Sequence, residues 1–514
     1  MITFITLALG LAAAGAAECA GVAGNLSSVR VAYDSRVSAV GHMSDLIFTP
    51  GGDGGLTAFD ADSGSDLWTF VAPDLRTSTA NTDLMTDIAV LRFDANGDGV
   101  IDAAGGDRVW LYFGLERAGP YYYALDVSRR TPDVLWNADA TTLPGLADAW
   151  STPTIARVRI AGATQNGEHF VVMVGGGFSP DSSAAGSHLF MLDAATGRPL
   201  WSSGSDSSSD LRLSHMTHGI AARVATLDID GDGFADRLYT ADVGGRIWRF
   251  DVWNGHSRDR LVTGGVFASL GIADLPPESA ASSDARRFFV APDVALMQPP
   301  RQDPWYNLSI GSGDGDDLRA AGVRNRFYSL RDRDPFRMRS QTEYDSASPL
   351  MDDEVPNLAD GAANAIGWKL DLAAGEAVFA ESLTASGVVM FTTHQAGASS
   401  DGSLCASDDT DRVYAVHVET GAAALDLNHD AQITDADRSA DLQQTGIPPG
   451  VRIELPGQGG SQEPPATPGE PPPGTAGAPP SANAPRCRVG AELLSRCVPL
   501  DAVVRTFWKS RSVN

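Results

Sequence analysis

The stretch LFMLDAATGRPLW at residues 189–201 combines a short apolar run, an aspartate, a turn that contains glycine, and a tryptophan. Aromatic and aliphatic residues alternate in its first half with a period of two residues, which is the period of a β-strand. Asp193 followed by Thr196-Gly197 is a typical turn sequence. The stretch therefore predicts a β-hairpin.

Degenerate copies of this unit recur along the chain. They begin at Leu56, Tyr122, Leu189, Arg246, Arg326 and Arg412, about 55 to 85 residues apart. Radial repetition of such sheets protects strand edges in a β-propeller. Six copies, together with a divergent region whose strands are 367–372 and 388–393, predict an all-β propeller of about seven blades with decorated loops. A β-sandwich or an array of small β domains is the alternative.

The composition excludes several classes of function. The chain has 514 residues, and 38 Lys+Arg against 65 Asp+Glu give a formal charge of −27, which repels nucleic-acid phosphates. With 43% hydrophobic and 20% charged residues, the chain has enough apolar material to fold. Its two lysines, Lys369 and Lys509, leave almost no candidates for P-loop or Schiff-base chemistry.

The first 17 residues resemble a signal peptide, with an apolar Leu/Ala-rich run that ends in small residues. They lack a basic residue before that run, and a mis-called start or a buried strand is the alternative. No later stretch is apolar enough to cross a membrane. We therefore expect an exported protein with a signal peptide at 1–17 and no membrane span.

Four cysteines are present: Cys19, Cys405, Cys487 and Cys497. The last two follow a Pro/Gly-rich linker at 455–485 and bracket a short loop, as in small disulfide-closed elements of oxidising compartments. Among three possible pairings we predict Cys487–Cys497, with unpaired thiols as the alternative, and leave Cys19 and Cys405 open. The resulting domains are a propeller at 44–454, the linker, and an independent disulfide-closed segment at 486–514.

The strongest chemical motif is the loop DIDGDGFAD at 228–236. Its candidate ligands are the carboxylates of Asp228, Asp230, Asp232 and Asp236 and the backbone carbonyl of Phe234. Ca²⁺ prefers about six to eight oxygen ligands, and alternate residues of a tight loop present theirs to one centre. Strand-like residues flank the loop, so it joins two strands and lacks the helices of an EF-hand.

Two further loops have a similar spacing. The second has candidate ligands Asp94, Asn96, Asp98, Val100 (through its carbonyl) and Asp102. The third has candidate ligands Asp426, Asn428, Asp430, Gln432 (through its carbonyl), Thr434 and Asp437. The third lacks glycine at its sixth position and closes with the shorter Asp, so an empty surface turn is the alternative. Ca²⁺ is the only cofactor that we predict.

No catalytic constellation is nominated. The sequence contains no H-E-x-x-H, G-x-S-x-G, P-loop or Rossmann motif. Regularly spaced acidic pairs lie in loops that metal binding explains better. We therefore expect a protein that is not an enzyme.

The stretch from Asp228 through RLYTADVGGRIWRFD at 237–251 resembles the signature of the C-terminal propeller of the PilY family, the type IV pilus biogenesis factors and tip adhesins. Similar pieces follow in the same order over about residues 44–455. They are SIGSGD at 309–314, RFYSLRD at 326–332, Gly367-Trp368, FTT at 391–393 and YAV at 414–416.

This resemblance implies a modified seven-bladed, quinoprotein-like propeller with calcium at 228–236, where occupancy in the family is linked to pilus extension and retraction. It implies pilins or minor pilins as partners, a host or surface receptor for adhesion, and a location in the periplasm, on the outer membrane surface or at the pilus tip. Full-length members carry a long N-terminal region, often with a von Willebrand-like adhesion domain, for which this chain has no room.

Two other functions fit parts of the pattern. A quinone-dependent dehydrogenase has similar hairpin-and-Trp repeats, but such enzymes usually show an adjacent Cys-Cys pair and a regular Trp docking motif, and we find neither. An integrin-like or lectin-like calcium propeller also uses D-x-D-G-D-G loops.

Overall fold

A computed structural model describes most of the chain between residues 29 and 498. The described residues are 29–31, 46–50, 55–61, 63–74, 85–97, 101–129, 131–165, 167–275, 281–320, 322–359, 364–397, 409–444, 446–454, 485–490, 492–494 and 496–498. The predicted signal peptide, Cys19, Cys405 and nearly all of the predicted linker lie outside them. The described part forms seven β-sheets, which are the blades of a β-propeller. The predicted all-β, seven-bladed propeller is confirmed.

The first three blades follow one another along the chain, and each is an antiparallel sheet apart from one short parallel edge strand, β13. Blade one contains β1 (Val29–Val31), β2 (Leu46–Pro50), β3 (Gly55–Asp60) and β4 (Asp66–Val71). Blade two contains β5 (Ala89–Phe93), β6 (Arg108–Gly114), β7 (Tyr122–Asp126) and β8 (Asp133–Ala138). Blade three contains β9 (Thr154–Arg157), β10 (Phe170–Gly175), β11 (His188–Asp193), β12 (Pro199–Gly204) and β13 (Leu211–Arg212).

In blades four and five, one short strand pairs with a different blade from the strands next to it in the sequence. Blade four contains β14 (Ala225–Leu227), β15 (Arg237–Ala241), β16 (Arg246–Val252) and β17 (Val262–Ser269). Blade five contains β18 (Asp293–Met297), β19 (Trp305–Gly311), β20 (Arg326–Asp332) and, after the short strand β21 (Leu350–Met351), β22 (Gly367–Asp371). Although β21 lies between two strands of blade five, it pairs in parallel with β17 of blade four.

Blade six contains β23 (Glu376–Ala377), β24 (Leu383–Ala385), β25 (Val388–Gln395), β26 (Thr410–His417) and β27 (Ser439–Asp441). Blade seven contains β28 (Val451–Glu454), β29 (Arg486–Val489) and β30 (Glu492–Leu493). The α-helix α1 spans Gln341–Ser346. Short 3₁₀ turns lie at Ala103–Gly105, Glu116–Ala118, Arg258–Arg260, Ser282–Asp284, Asp352–Glu354 and Asp435–Arg438.

The hydrophobic core lies between successive blades. Six large clusters of buried residues each combine side chains from two neighbouring blades. On β6, for example, Leu111 packs toward blade one, whereas Tyr112 packs toward blade three. Because successive side chains of a strand point to opposite faces, a strand that is buried between two sheets needs apolar residues on both faces. This explains why the repeat alternates aromatic with aliphatic residues.

The recurring Asp and Trp occupy equivalent places in the first three blades. In each blade the repeat lies on the third strand, and the Trp lies on the next strand. The pairs that face each other are Ala58 with Trp68, Ala124 with Trp136, and Met191 with Trp201. The register shifts directly after each of these pairs. The repeat thus encodes an irregular hairpin at the outer edge of a blade.

Two tryptophans form hydrogen bonds between neighbouring blades. The indole N–H of Trp136 in blade two donates to the carbonyl oxygen of Ala194 in blade three at 2.9 Å. A Cβ added to Gly197 would lie 2.6 Å from the ring of Trp136, so glycine is required there. Trp368 in blade five makes the matching bond to the carbonyl oxygen of Val418 in blade six at 2.7 Å. These contacts link residues far apart in the sequence, so the sequence pattern alone does not indicate them.

The disulfide between Cys487 and Cys497 is confirmed. The expectation that its segment is independent of the propeller is wrong for the residues that the structure describes. Strand β29 pairs with β28, which lies on the other side of the linker. Cys487 and Val489 are completely buried in the same cluster as Met390 of blade six. Apolar burial therefore attaches this segment to the propeller.

Candidate metal centre

The acidic loop 228–236 joins the first and second strands of blade four, as the sequence predicts. Two of its glycines have left-handed backbone conformations, with φ of 81° at Gly231 and 90° at Gly233. Residues with a side chain rarely adopt such angles, so the glycines permit the tight path of the loop. The loop ends as Asp236 donates its backbone N–H to the carbonyl oxygen of Leu227 at 2.7 Å.

The carboxylate of Asp228 organises the loop from inside. Its Oδ1 accepts the N–H of Gly231 at 2.7 Å, and its Oδ2 accepts the N–H of Gly233 at 2.8 Å. The carboxylate of Asp236 closes the other end, because its Oδ2 accepts the N–H of Ile229 at 2.8 Å. The first and last acidic residues therefore hold the loop in one shape.

Three carboxylates converge in this loop. Ligand oxygens of Asp228, Asp230 and Asp236 all lie within 4.8 Å of one another, so together they could hold a metal ion. Asp232 is not one of the three; its Oδ1 accepts the backbone N–H of Phe234 at 2.8 Å. Roles for Asp232 and for the carbonyl of Phe234 as ligands stay predictions.

The electrostatics of the centre favour a cation. Burial, followed by the negative charges of Asp230 and Asp228, raises the pKa of Asp236, and the N–H of Ile229 opposes this shift. A cation that enters the group relieves the repulsion and the burial cost together.

Phe234 anchors the loop to blade three. Its ring is buried, and the guanidinium groups of Arg157 and Arg159 lie 4.5 and 4.2 Å from the ring centre. Cations over an aromatic face are attracted by the ring quadrupole. These two contacts fix the outer part of the acidic loop against the neighbouring blade.

A buried charge network lies directly behind the loop. Arg237 and Arg249 on neighbouring strands are both fully buried. Nε of Arg237 lies 2.7 Å from Oδ1 of Asp251, and Nη1 of Arg249 lies 2.7 Å from Oδ2 of Asp332 in blade five. The hydroxyl of Tyr344 in α1 donates to Asp251 at 2.7 Å. The network therefore joins blade four to blade five and to the chain between β20 and β21.

The second loop joins the equivalent strands of blade two and closes differently from the prediction. Oδ1 of Asp94 accepts the N–H of Gly97 at 2.8 Å, which matches Asp228 in the first loop. Asp102, however, caps a 3₁₀ turn by accepting the N–H of Ala104 at 2.9 Å. Asp98 and Val100 lie outside the described residues, and a ligand role for Asn96, which is described, stays a prediction.

Asp107 takes the closing position in the second loop. It is buried and accepts the N–H groups of Ala95 at 2.8 Å and of Asp102 at 2.7 Å. Asp236 in the first loop likewise accepts the N–H of the residue after the first Asp. The ligand spacing did not point to Asp107, because four residues separate it from Asp102.

A sequence signal for Asp107 does exist. In all three loops the closing Asp is followed directly by Arg, at Asp107-Arg108, Asp236-Arg237 and Asp437-Arg438. In the first two loops that Arg is the first residue of the next strand.

The third loop lies in blade six between β26 and β27. Asp437 is fully buried and closes it, accepting the N–H of Thr434 at 2.9 Å and the N–H of Asn428 at 3.2 Å. Asn428 and Asp430 are exposed and bond within the loop, where Asp430 accepts the N–H of Gln432 at 2.8 Å. Its carboxylates stand further apart than those of the first loop.

The chain is similar to proteins of type IV pili. No family model matches it. The type IV pilus biogenesis factor PilY1 of Pseudomonas aeruginosa is 25% identical over 318 residues, which are 56% of this chain and 26% of that protein. A PilY1 homolog of Xylella fastidiosa is 24% identical over 421 residues, which are 74% of this chain and 26% of that protein. This chain thus spans about a quarter of the length of these relatives.

The similarity in fold agrees with the similarity in sequence. The crystal structure of the Pseudomonas aeruginosa PilY1 C-terminal domain superimposes with a TM-score of 0.59 and 17% identity, covering 88% of this chain and 92% of that one. At that identity the match shows the fold. Sequence and fold together confirm that this chain resembles the C-terminal propeller of the PilY family of type IV pilus biogenesis factors.

Proposed function

We propose that this chain is a calcium-dependent, non-enzymatic component of a type IV pilus. In this proposal it is exported, associates with the pilus or its tip, and binds pilins or minor pilins through loops of the propeller. Calcium at 228–236 influences the balance of pilus extension and retraction, and a contribution to adhesion through a surface receptor follows from the same location. The sequence similarity to PilY1 supports the role in pilus biogenesis.

The convergence of Asp228, Asp230 and Asp236 carries the calcium part of the proposal. All the donors are oxygens of carboxylates, which are the ligands that a hard cation prefers, and soft ligands are absent from the group. The fit is supported by the hydrogen bonds that hold the first and last acidic residues in place. Calcium would neutralise the group and stiffen the loop.

The network behind the loop supports a role in switching. Arg237 directly follows the closing Asp236 and donates to the carbonyl oxygens of Pro335 at 2.8 Å and Arg337 at 2.7 Å. Ordering of the calcium loop can therefore affect the conformation of the segment around Phe336, whose side chain is 51% exposed. Loops on a rigid scaffold are where partners usually bind.

The similarity to PilY1, a pilus biogenesis factor, supports the non-enzymatic part of the proposal. Side chains also make direct contacts between connecting loops of the propeller. Trp150 contacts Phe178 and Phe289 with ring centres 5.8 and 5.2 Å apart. Arg117 of blade two bonds Asp316 of blade five at 2.7 Å.

Export is supported by the disulfide, since such bonds persist in oxidising compartments. Within the described residues, no helix has the length and hydropathy needed to span a bilayer. The strongly negative charge argues against nucleic acid as a partner.

The test is genetic, in a host strain that lacks every other member of the family. The gene is deleted and complemented with the wild-type chain, with Asp228→Asn/Asp230→Asn, or with Asp259→Asn as the matched control. Asp259 is an exposed aspartate of the same blade outside the calcium loop. Surface pilin, twitching zones and the export of the chain are measured together.

We expect the deletion strain to lose surface pili and the Asp259→Asn control to restore them. We expect the double variant to be exported normally, but with a changed ratio of surface pili to twitching. A deletion strain with normal pili and twitching would contradict the pilus role. Full complementation by the double variant would contradict only the calcium part of the proposal, and the pilus role would stand.

A further inference from the structure

The third loop contains a buried carboxylate oxygen that lacks a donor. The side chain of Asp426 is 9% exposed. Its Oδ2 accepts the N–H of Ala431 at 3.2 Å and lies 3.8 Å from Nη2 of Arg496. Its Oδ1 is buried and accepts no hydrogen bond from any described residue. A buried acceptor without a donor is energetically unfavourable, so this oxygen is suited to an additional ligand.

The loop around Asp426 follows the path of the first loop without its glycines. The fourth and sixth residues of the first loop, Gly231 and Gly233, have positive φ. Their counterparts in the third loop are His429 and Ala431, with φ of 65° and 66°. The missing glycine, which favoured an empty turn in the sequence analysis, therefore does not prevent the backbone from adopting the metal-loop conformation.

The two loops differ at the first aspartate. Oδ1 of Asp228 accepts the N–H of Gly231, whereas Oδ1 of Asp426 is left without a donor. In both loops the Oδ2 of the first aspartate accepts the N–H of the sixth residue. The third loop therefore retains the backbone frame of the first loop and leaves one buried carboxylate oxygen without a donor.

We propose that the third loop is a second divalent-cation site, of the calcium class, in which Oδ1 of Asp426 is a buried ligand. The side-chain oxygens of Asn428 and Asp430 and the closing Asp437 complete the donor set. Because Asp430 is exposed and the carboxylates of this loop do not already converge, we expect weaker binding than at the first loop. The site is independent of the function proposed for the first loop.

The cation at this loop would also secure the disulfide-closed segment. Leu425 and Leu427, on either side of Asp426, pack in the same cluster as Cys487 and Val498. Arg496, next to the disulfide, approaches Asp426 itself. A cation that fixes Asp426 therefore also fixes the two leucines on which the segment packs.

The binding test uses the full chain with Asp228→Asn/Asp230→Asn as background, so that the first loop does not contribute. Calcium chloride is titrated calorimetrically, and bound calcium is counted after equilibrium dialysis. Asp426→Asn is compared with Asp435→Asn, which changes an 81% exposed aspartate of the same loop that pairs with Arg438. Circular dichroism and gel filtration check the fold of each variant. Asp430→Asn serves as a second ligand variant because its side chain is exposed.

We expect Asp426→Asn and Asp430→Asn each to bind one calcium fewer than Asp435→Asn at a calcium concentration that saturates the control. Equal calcium in a folded Asp426→Asn or Asp430→Asn and in the control would overturn the proposal. Should Asp426→Asn not fold, the comparison of Asp430→Asn with Asp435→Asn decides.

A second measurement tests the link to the disulfide segment. Trypsin cleavage after Arg486, Arg488 and Arg496 is followed by mass spectrometry in calcium and in EGTA, in the same background. We expect calcium to slow these cleavages at least threefold in the Asp435→Asn control and to have no effect in Asp430→Asn. Equal rates in calcium and EGTA for the control would refute the coupling.

Discussion

Arg237 and Asp251 face each other across β15 and β16 as a completely buried ion pair, with 2.7 Å between Nε and Oδ1. Arg237 begins the strand that leaves the acidic loop. Asp251 also accepts the backbone N–H of Arg339 at 2.8 Å. The pair thus connects the metal centre to the segment that follows β20 of blade five and pairs with blade four through β21.

Replacing Arg237 with Met should destabilise the fold by about 3–5 kcal/mol, because the change leaves the buried charge of Asp251 without its main partner. Urea unfolding in saturating calcium measures this cost. The control is Arg260→Met, which removes a 78% exposed arginine that lies 3.7 Å from Asp259; it should change stability by less than about 0.5 kcal/mol. Similar losses in the two variants would show that the buried network contributes little.

Replacing Trp136 with Phe should also destabilise the propeller, by about 1–3 kcal/mol, because it removes the interblade hydrogen bond to Ala194 and part of the ring contact with Gly197. Trp253→Phe is the matched control: its indole bonds Thr263 within the same blade at 3.1 Å, in a half-buried position. Thermal unfolding compares the two. An effect of Trp136→Phe no larger than that of the control would contradict a docking role.

The strands, the blade count and the first acidic loop could be predicted because each depends on neighbours in the sequence. The alternation of aromatic and aliphatic residues indicates a strand that is buried on both faces. The spacing from Asp228 to Asp236 indicates a loop within one hairpin. The disulfide was predictable for the same reason, since Cys487 and Cys497 are separated by 10 residues.

What could not be predicted depends on contacts between distant segments. Trp136 meets Gly197 only after two blades have stacked. Strand β21 pairs with blade four, where the buried Arg237 and Arg249 bond Asp334 and Asp332 in the chain that precedes β21. The proline-rich composition of the linker suggested an independent segment, whereas the apolar side chains beyond it are attached to blade six.

The second loop offers a direct test of which aspartate closes it. Asp107→Ala removes the acceptor of two backbone N–H groups and should cost about 2–4 kcal/mol, since each unsatisfied donor costs roughly 1–3 kcal/mol. Asp102→Ala removes only one capping bond and should cost about 1 kcal/mol. Chemical denaturation in EGTA separates these effects from metal binding. A larger loss for Asp102→Ala would restore the original assignment.

Stability should depend on the ionisation of Asp242. Burial raises the pKa of this carboxyl to about 6, although the N–H groups of Arg246 and Gly244 and the indole of Trp248 favour its charged form. The folded state therefore holds the proton more tightly than the unfolded state, and the free energy of unfolding falls as pH rises from about 4 through 6. At about 1.4 kcal/mol per pKa unit this amounts to about 3 kcal/mol.

Asp242→Asn should remove that part of the pH dependence, so its stability curve between pH 4.5 and 7.5 should be flatter than that of the wild type. Asp133→Asn, at an exposed aspartate of blade two, should leave the slope unchanged. Urea unfolding at several pH values in EGTA gives the slopes. Parallel curves for wild type and Asp242→Asn would rule out this contribution.

Calcium should stabilise the protein mainly through the first loop. The three convergent carboxylates repel one another, and a ligand that binds the folded state alone stabilises it by about 2.7 kcal/mol at 100 times its dissociation constant. Calcium should therefore raise the melting temperature of the wild type by several degrees, and EGTA should reverse the rise. Asp228→Asn/Asp230→Asn should lose most of that rise, because the first loop no longer offers three convergent carboxylates. The Asp259→Asn control should respond to calcium like the wild type. A wild type whose melting temperature is the same in calcium and in EGTA would show that the first loop is not a structural calcium site.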